Sequence, residues 1–331
     1  MTADLRRALS SVGTVEWVVL AILAGGLIAM PFVVSSYITA LGMSIAMYAA
    51  LASSWNMISG YAGYVSFGHV VFWGVGAYGC AIAVSNWGLP WPIGFLMGGL
   101  FSMLLALLVG QPILKLTGVY FAISTLAISE AVRVLVSVSG DLTGGGGGIY
   151  LPPLMDVKTS YLLMVGVAGA AVAATHSFDY TRFGRALVAI RENEVAAESL
   201  GIDALRHKIT VFAISGFFAG LAGAGYVLNA TFIDPGTAFD ITVTLRSIIM
   251  AMIGGIGTVL GPPIGAIAFE IPSEWLWARL PFVHKAALGA LIIAVVLLLP
   301  DGLVPAFRRL RARVTRSRGR GAERDQDEVK V

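Results

Sequence analysis

The sequence predicts an all-α polytopic membrane protein with about ten transmembrane helices, some of them broken or short. Three observations carry this reading. The chain has 331 residues, 57% of them hydrophobic and only 12% charged, with 40 glycines and a mean hydropathy of +0.83; that composition lies outside the ordinary soluble class. Its apolar runs repeatedly approach the roughly 20 residues that cross a bilayer as helix. Charge is gathered into a central island and an arginine tail instead of punctuating the runs. Helix is the default because an open strand edge would leave backbone groups unpaired in hydrocarbon.

Residues 1–16, with Arg6 and Arg7, form a cytoplasmic N-terminus ahead of a domain at 17–300. No small-residue cleavage motif follows the first apolar run, which reads as a retained span. Apolar segments follow at 17–35, 37–57, 66–86, 91–111, 117–138 and 160–177. If Arg6 and Arg7 are inside, six crossings return 178–208, with its basic residues, to the cytoplasm. The loop at 139–159, with LTGGGGGIYLPP at 142–153, is then external, and five consecutive glycines make it mobile or tightly turned. A seventh span at 209–230 delivers Asp234, Pro235 and Gly236 outside. The stretch 241–278 is too long and apolar for one crossing, so it divides near GGIGTVLGPPIG into helices at 242–256 and 260–278. A last span at 284–300 returns the tail, 301–331, to the cytoplasm, where Arg308, Arg309, Arg311, Arg313, Arg316, Arg318 and Arg320 mark the inner side. The tail is expected to be partly disordered.

Two stretches share a broken, small-residue texture: 60–77, containing Gly60, Gly63, Ser66, Phe67, Gly68, His69 and Gly74, and 254–266, containing Gly254, Gly255 and Gly257. Such residues serve either close helix packing or helix unwinding around a translocation path. Thr125 and Glu130 lie in the fifth span, with Arg133 three residues on and on the same face; a structural pairing is favoured over a proton relay. Arg246, Glu270 and Glu274 either line a pathway or bind a neighbouring chain. His69 either donates to a backbone carbonyl or contacts substrate. Trp55 and Asn56 end the second span, where a ring and a polar cap suit the headgroup level.

Several chemistries are excluded. The single cysteine, Cys80, sits in an apolar helix as a small hydrophobe, and His69, His176, His207 and His284 are scattered, so no metal site is expected. No Walker pattern occurs, so the chain is expected to bind no nucleotide cofactor and not to be an enzyme. The basic tail lacks the aromatic interleaving of a nucleic-acid binder.

The central island, GRALVAIRENEVAAESLGIDALRHK at 184–208, puts Ala186, Ile190, Ala197 and Leu200 near one helical stripe. Arg191, Glu192 and Asn193, with Glu194, form a polar patch; Gly201 caps the first piece and Asp203 begins a second. Two short helices with an alanine-rich face predict a lever that docks into another protein's surface.

The island resembles the cytoplasmic coupling segment of permease subunits of bacterial ABC importers, whose pattern Glu-Ala-Ala, three residues, Gly falls on Val195, Ala196, Ala197 and Gly201, with Val195 in the glutamate's place. The chain as a whole resembles the M-type permease subunit of the branched-chain amino acid transport family. The resemblance rests on WNMISGYAGYVSFGHVVFWGVGAY at 55–78, LTGVYFAISTLAISE at 116–130, LTGGGGGI at 142–149, FGRALVAIRENEVAAESLGI at 183–202 and RSIIMAMIGGIGTVLGPPIGA at 246–266, in order along the membrane core.

The resemblance implies a type II ABC importer-like fold in a bacterial inner or plasma membrane. It also implies a homologous H-type permease partner, two cytoplasmic ABC ATPase subunits that bind ATP and Mg, and an extracytoplasmic substrate-binding protein. The substrate implied is leucine, isoleucine or valine, with other amino acids, urea or short amides as alternatives. Gly184, Arg185, Ala186, Arg191, Glu192, Asn193, Ala196, Ala197 and Gly201 are the expected coupling residues. A standalone secondary transporter using Glu130 for protons is the competing class.

Overall fold

The computed structural model describes residues 25–279, 289 and 302–305. A helical stretch at 25–33 leads to α1 (Ser36–Asn56), opened by Ser35, whose hydroxyl accepts from the Ile38 N–H at 3.5 Å. α1 widens at its end into a π-helical turn, Met57–Tyr61. A non-helical loop then reaches α2 (Val70–Ser85), followed by α3 (Trp91–Ile113) and α4 (Gly118–Val138). Asp156 caps α5 (Val157–Tyr180), accepting from the Thr159 N–H at 3.1 Å. The charged island forms α6 (Arg182–Glu192) and α7 (Glu194–Ser199) and runs into α8 (Ala204–Ala230). The bundle closes with α9 (Ile241–Gly254) and α10 (Gly261–Arg279).

α8 lies at the centre, 78% buried along its apolar window and packed on α2 and α3. In a bilayer apolar area gives little drive for helix association, so close backbone approach must supply it. Glycines provide that approach here: a methyl on Gly76 would overlap the Gly220 backbone, and one on Gly223 would overlap the Trp73 carbonyl. Ser102 on α3 adds a hydroxyl bond of 2.7 Å to the Phe72 carbonyl of α2. α1 packs beside α5 and α10, and α9 beside α10.

The loops sort to two ends. One end gathers the π-helical turn, α6, α7 and the break between α9 and α10, joined by Arg191 to Gly60 and Asn56 to Gly257. The other gathers the glycine-rich loop, where Asn86 donates to the Leu142 carbonyl at 2.9 Å and Ser85 to the Tyr150 carbonyl at 3.3 Å.

Six helices among the described residues are long and apolar enough to cross a membrane: Ser36–Tyr61, Trp91–Ile113, Gly118–Val138, Val157–Tyr180, Ala204–Ala230 and Pro235–Gly254. Val70–Ser85 is a shorter apolar helix, and α10, which holds Glu270, Glu274 and Arg279, is not among the six. The expected division near GGIGTVLGPPIG occurs as the break at 255–260. The ten-crossing count is not established, since 17–24 and all but one residue of 284–300 lie outside the described residues. So do 1–16, His284 and the tail arginines.

Two expectations change, and one that stood open is resolved. Trp55 and Asn56 do not face headgroups but other parts of the chain; both are fully buried, with Trp55 Nε1 donating to the Ser66 carbonyl at 2.8 Å. The glycine-rich loop is tightly turned: Gly140–Thr143 forms one helical turn, Gly145–Gly147 a 3₁₀ turn, and Ile149–Tyr150 (β1) pairs antiparallel with Phe232–Ile233 (β2). Strands were not expected, but outside the spans a two-residue ladder satisfies backbone groups that a glycine run cannot satisfy as helix.

Candidate functional site

The charged segment is built from local caps. Thr181 Oγ1 accepts from the Gly184 N–H at 3.3 Å to start α6. Asn193 is extended, with φ −161°, and its side chain accepts from the Ala196 N–H at 3.0 Å to start α7. Gly201, with φ +85°, ends α7, and Asp203 caps α8 by accepting from the Arg206 N–H at 3.0 Å. The segment therefore breaks twice, at Asn193 and at Gly201, where the sequence suggested one break.

Its small face is spent inside the chain. Gly184 lies against the Phe178 backbone, where a methyl would overlap the carbonyl. Ala186, Leu187, Ile190 and Ala197 are buried, while Leu200 is 83% exposed and Val195 74% exposed. The expected docking stripe of Ala186, Ile190, Ala197 and Leu200 is thus corrected: three of the four pack inward. Arg185, Glu192, Asn193, Val195, Ala196 and Leu200 form the outward surface.

At the end of α6, Arg191 joins both glycine-rich stretches. Its Nη1 donates to the Gly60 carbonyl in the π-helical turn at 2.8 Å, its Nη2 pairs with Glu192 at 2.7 Å, and its stem fills the space over Gly63. Asn56 clamps the second stretch: its Oδ1 accepts from the Gly257 N–H at 2.8 Å and its Nδ2 donates to the Thr258 carbonyl at 3.0 Å. A side chain on Gly60 would overlap Asn56 and approach Gly257 N at 2.7 Å, and Gly257 has φ +74°. Gly254 and Gly255 form the turn itself, with Gly254 against Gly261. Arg191, Gly60, Gly63, Gly254, Gly255 and Gly257 are thereby brought together.

The loop 62–69 is pinned from α4. Thr125 Oγ1 accepts from the Phe67 and Gly68 N–H groups at 3.2 and 3.3 Å, and Gly68 touches the Thr125 backbone too closely for any side chain. Thr244 of α9 accepts from the Val70 N–H at 2.8 Å. Ser54 donates to the Leu51 carbonyl at 2.8 Å, so its contact with His69 Nε2 at 2.9 Å has the imidazole as donor. His69 therefore bonds a hydroxyl and not a carbonyl, and its buried Nδ1 has no partner. Ser66 is buried with an unpartnered hydroxyl. Gly74 belongs elsewhere, where a methyl would overlap the Ala238 carbonyl and the Phe239 ring.

Glu130 stands apart. It pairs with Arg133 on the exposed face of α4, as the favoured structural reading expected. Arg246 lies 3.9 Å from Glu270 and 3.4 Å from the Tyr48 hydroxyl, while Ser44 donates to Glu270 at 2.8 Å and Tyr37 to Glu274 at 2.8 Å. These contacts join α1, α9 and α10 within the chain. Among the described residues no group of three histidine, cysteine or acidic side chains is placed to hold a metal ion.

The sequence missed a buried network beside the segment. Lys208 Nζ donates to Glu194 Oε1 at 2.6 Å, to the Tyr64 hydroxyl at 2.9 Å and to the Leu114 carbonyl at 2.8 Å; the Tyr64 hydroxyl donates to Glu194 Oε2 at 2.5 Å. Burial alone would raise the Glu194 carboxyl, but the bonds from Lys208 and Tyr64 outweigh it and hold its pKa below the usual carboxylate value. A lysine opening an apolar run directly after a glutamate-rich island was the available signal.

A family described as the permease component of the branched-chain amino acid transport system matches residues 36–299. The high-affinity branched-chain amino acid transport system permease protein LivM of Salmonella typhimurium is 27% identical over 312 residues, covering 85% of this chain and 73% of the relative. LivM of Escherichia coli has the same identity and coverage. The autoinducer 2 import system permease protein LsrC of Yersinia enterocolitica is 28% identical over 251 residues, covering 70% of this chain and 67% of the relative. No solved structure matches significantly.

Proposed function

This chain belongs to the branched-chain amino acid transport system permease family, and from that premise we propose that it imports branched-chain or related amino acids through a pathway shared with a homologous H-type permease, driven by two separate ATPase subunits that bear on α6 and α7. The observation that carries the proposal is the meeting at Arg191 and Asn56 of the charged segment with both broken stretches. A push on the segment reaches the two places where the helices are already interrupted, which is where a bundle can change shape most cheaply.

The polarity of the ends supports a cytoplasmic placement of the segment. Lys115, Arg182, Arg185, Arg191, Arg206 and Lys208 lie at its end, whereas the other end holds Lys158 among Asp141, Asp156, Asp234 and Asp240. Val195 and Leu200, exposed beside Glu192 and Glu198, offer an ATPase groove an apolar pair with an acidic rim. α4 supports the shared pathway: only 17% of its apolar window is buried, yet it carries Glu130 and Arg133 outward. A charged pair at membrane depth is suited to facing protein or a water-filled path, not lipid.

Replacing residues 185–202 with a flexible linker of equal length in the purified complex tests the proposal. Transport and its coupling to ATP turnover are expected to collapse while the membrane bundle still folds; wild-type coupling with the linker would defeat it. An extracytoplasmic binding protein is expected to set substrate choice, and a ligand screen on that protein distinguishes a branched-chain amino acid from urea or a short amide.

A further inference from the structure

Two ties hold the charged segment to the bundle, and they differ in stiffness. At the first, the Lys208 side chain is 3% exposed and its three N–H donors meet three acceptors: Glu194 on α7, Tyr64 in the loop before α2, and the Leu114 carbonyl at the end of α3. The ammonium also sits 4.6 Å from the centre of the Tyr64 ring, and it faces the carbonyl end of α3, where the helix dipole favours a cation. With every donor used, α7, the start of α8 and the end of α3 form one body. The Lys208 ammonium is buried, so any shift of α7 away from it leaves a charged donor unpaired.

The second tie is looser. The Arg191 side chain is 36% exposed, gives one bond to the Gly60 carbonyl, and turns its other donors to the neighbouring Glu192. It lands on a π-helical turn that is itself joined to the break at 255–260 through Asn56. Between the two ties lies Asn193, one extended residue that separates α6 from α7.

We propose that ATPase movement enters this chain through these unequal ties: Lys208 is a fixed bearing that seats α7 on α3 and α8, and Arg191 carries the displacement of α6, about Asn193, to the junction of the π-helical turn with the broken α9–α10 pair. The proposal rests on the reading of the segment as the ATPase contact. Lys208 and Arg191 are positioning residues in it, since neither touches substrate or nucleotide.

The test uses the assembled complex in lipid vesicles. Cys80 is buried, so spin labels go only to introduced cysteines, as one pair at Ser199 and Leu116 and a second at Val188 and Leu260, all exposed. The α7–α3 distance is expected to stay constant between nucleotide-free and ATP-bound states while the α6–break distance shifts. Lys208→Met should make the first distance nucleotide-dependent. Arg191→Met, which keeps the stem over Gly63, should leave stimulated ATP turnover within about twofold while substrate moved per ATP falls about tenfold, the scale of one hydrogen bond from a charged donor. Equal shifts in both distances, or wild-type transport per ATP in Arg191→Met, would overturn the unequal ties and leave the proposed function standing. If Lys208→Met fails to assemble, the two wild-type distances and Arg191→Met still decide. If ATPase subunits never bind the segment, the proposed function falls and this inference with it.

Discussion

Asn56→Ala tests the clamp across the broken helices. The side chain is fully buried and makes two bonds to backbone groups, the Gly257 N–H at 2.8 Å and the Thr258 carbonyl at 3.0 Å. Truncation leaves a donor and an acceptor unmatched at about 1–3 kcal/mol each, so about 2–6 kcal/mol in all. Ile256 and Leu260 beside them are exposed, so water can reach the break and replace part of the loss. The expected destabilisation is therefore near the lower end, about 2–3 kcal/mol. Asn56→Asp should not rescue, because it keeps the acceptor for Gly257 but sets an oxygen against the Thr258 carbonyl. The assay is unfolding in detergent, paired with maleimide labelling of a cysteine at Ile256, which should accelerate as the break loosens. A variant within about 0.5 kcal/mol of the parent, with unchanged labelling, would show that Asn56 is a bystander.

Two further outcomes follow from the packing and the charges. Gly223→Ala sets a methyl into the Trp73 carbonyl between α8 and α2 and should cost at least about 1–3 kcal/mol, whereas Gly169→Ala, with no neighbour within 4 Å, should be neutral or slightly stabilising in the same thermal unfolding assay. Because folding depresses the Glu194 carboxyl, its stabilising share is complete above the unfolded carboxylate pKa and is lost as pH falls through the lower folded value; the protection of amides over 194–204 against exchange, taken relative to the intrinsic rate at each pH, should be flat near neutrality and fall only in acid, and Glu194→Gln should remove that acid step.

What the sequence revealed and what it hid divide along physical lines. Apolar run length is a property of one segment, and so most spans and the break near Gly255 could be read from it. The face of a docking helix cannot be read so: Ala186, Ile190 and Ala197 share a stripe whether they bury against a partner or, as here, against their own bundle. Periodicity marks a buried face without naming what buries it. Asn56 ended an apolar run and so resembled an interface cap, but its partners lie some two hundred residues downstream, and only tertiary structure brings them together. Lys208 likewise looked like a cation at a membrane edge; its partners Tyr64 and Leu114 come from two other loops. Two-residue strands are too short for alternation to appear at all.

The uneven distribution of close packing says where such a bundle can yield. α2, α3 and α8 meet at Gly76, Gly98, Gly220 and Gly223, with only the small Ser102 and Ala224 side chains between them. Interfaces of that kind resist sliding, because any shift drives backbone into backbone. The α9–α10 contact is as close, since a methyl on Gly254 would overlap the Gly261 carbonyl and one on Gly265 the Met250 carbonyl; the junction of both helices with α1 differs in being an interrupted one. It consists of a π-helical turn, a glycine break and the two hydrogen bonds of Asn56, and its neighbours Ile256 and Leu260 are exposed. Displacement applied at Arg191 therefore meets close-packed backbone on the α3–α8 side and, on the other, a partly exposed turn at 255–260. That turn can yield by its backbone dihedrals without sliding either set of glycine contacts, and this gives a charged segment in the middle of an apolar chain a direction in which to act.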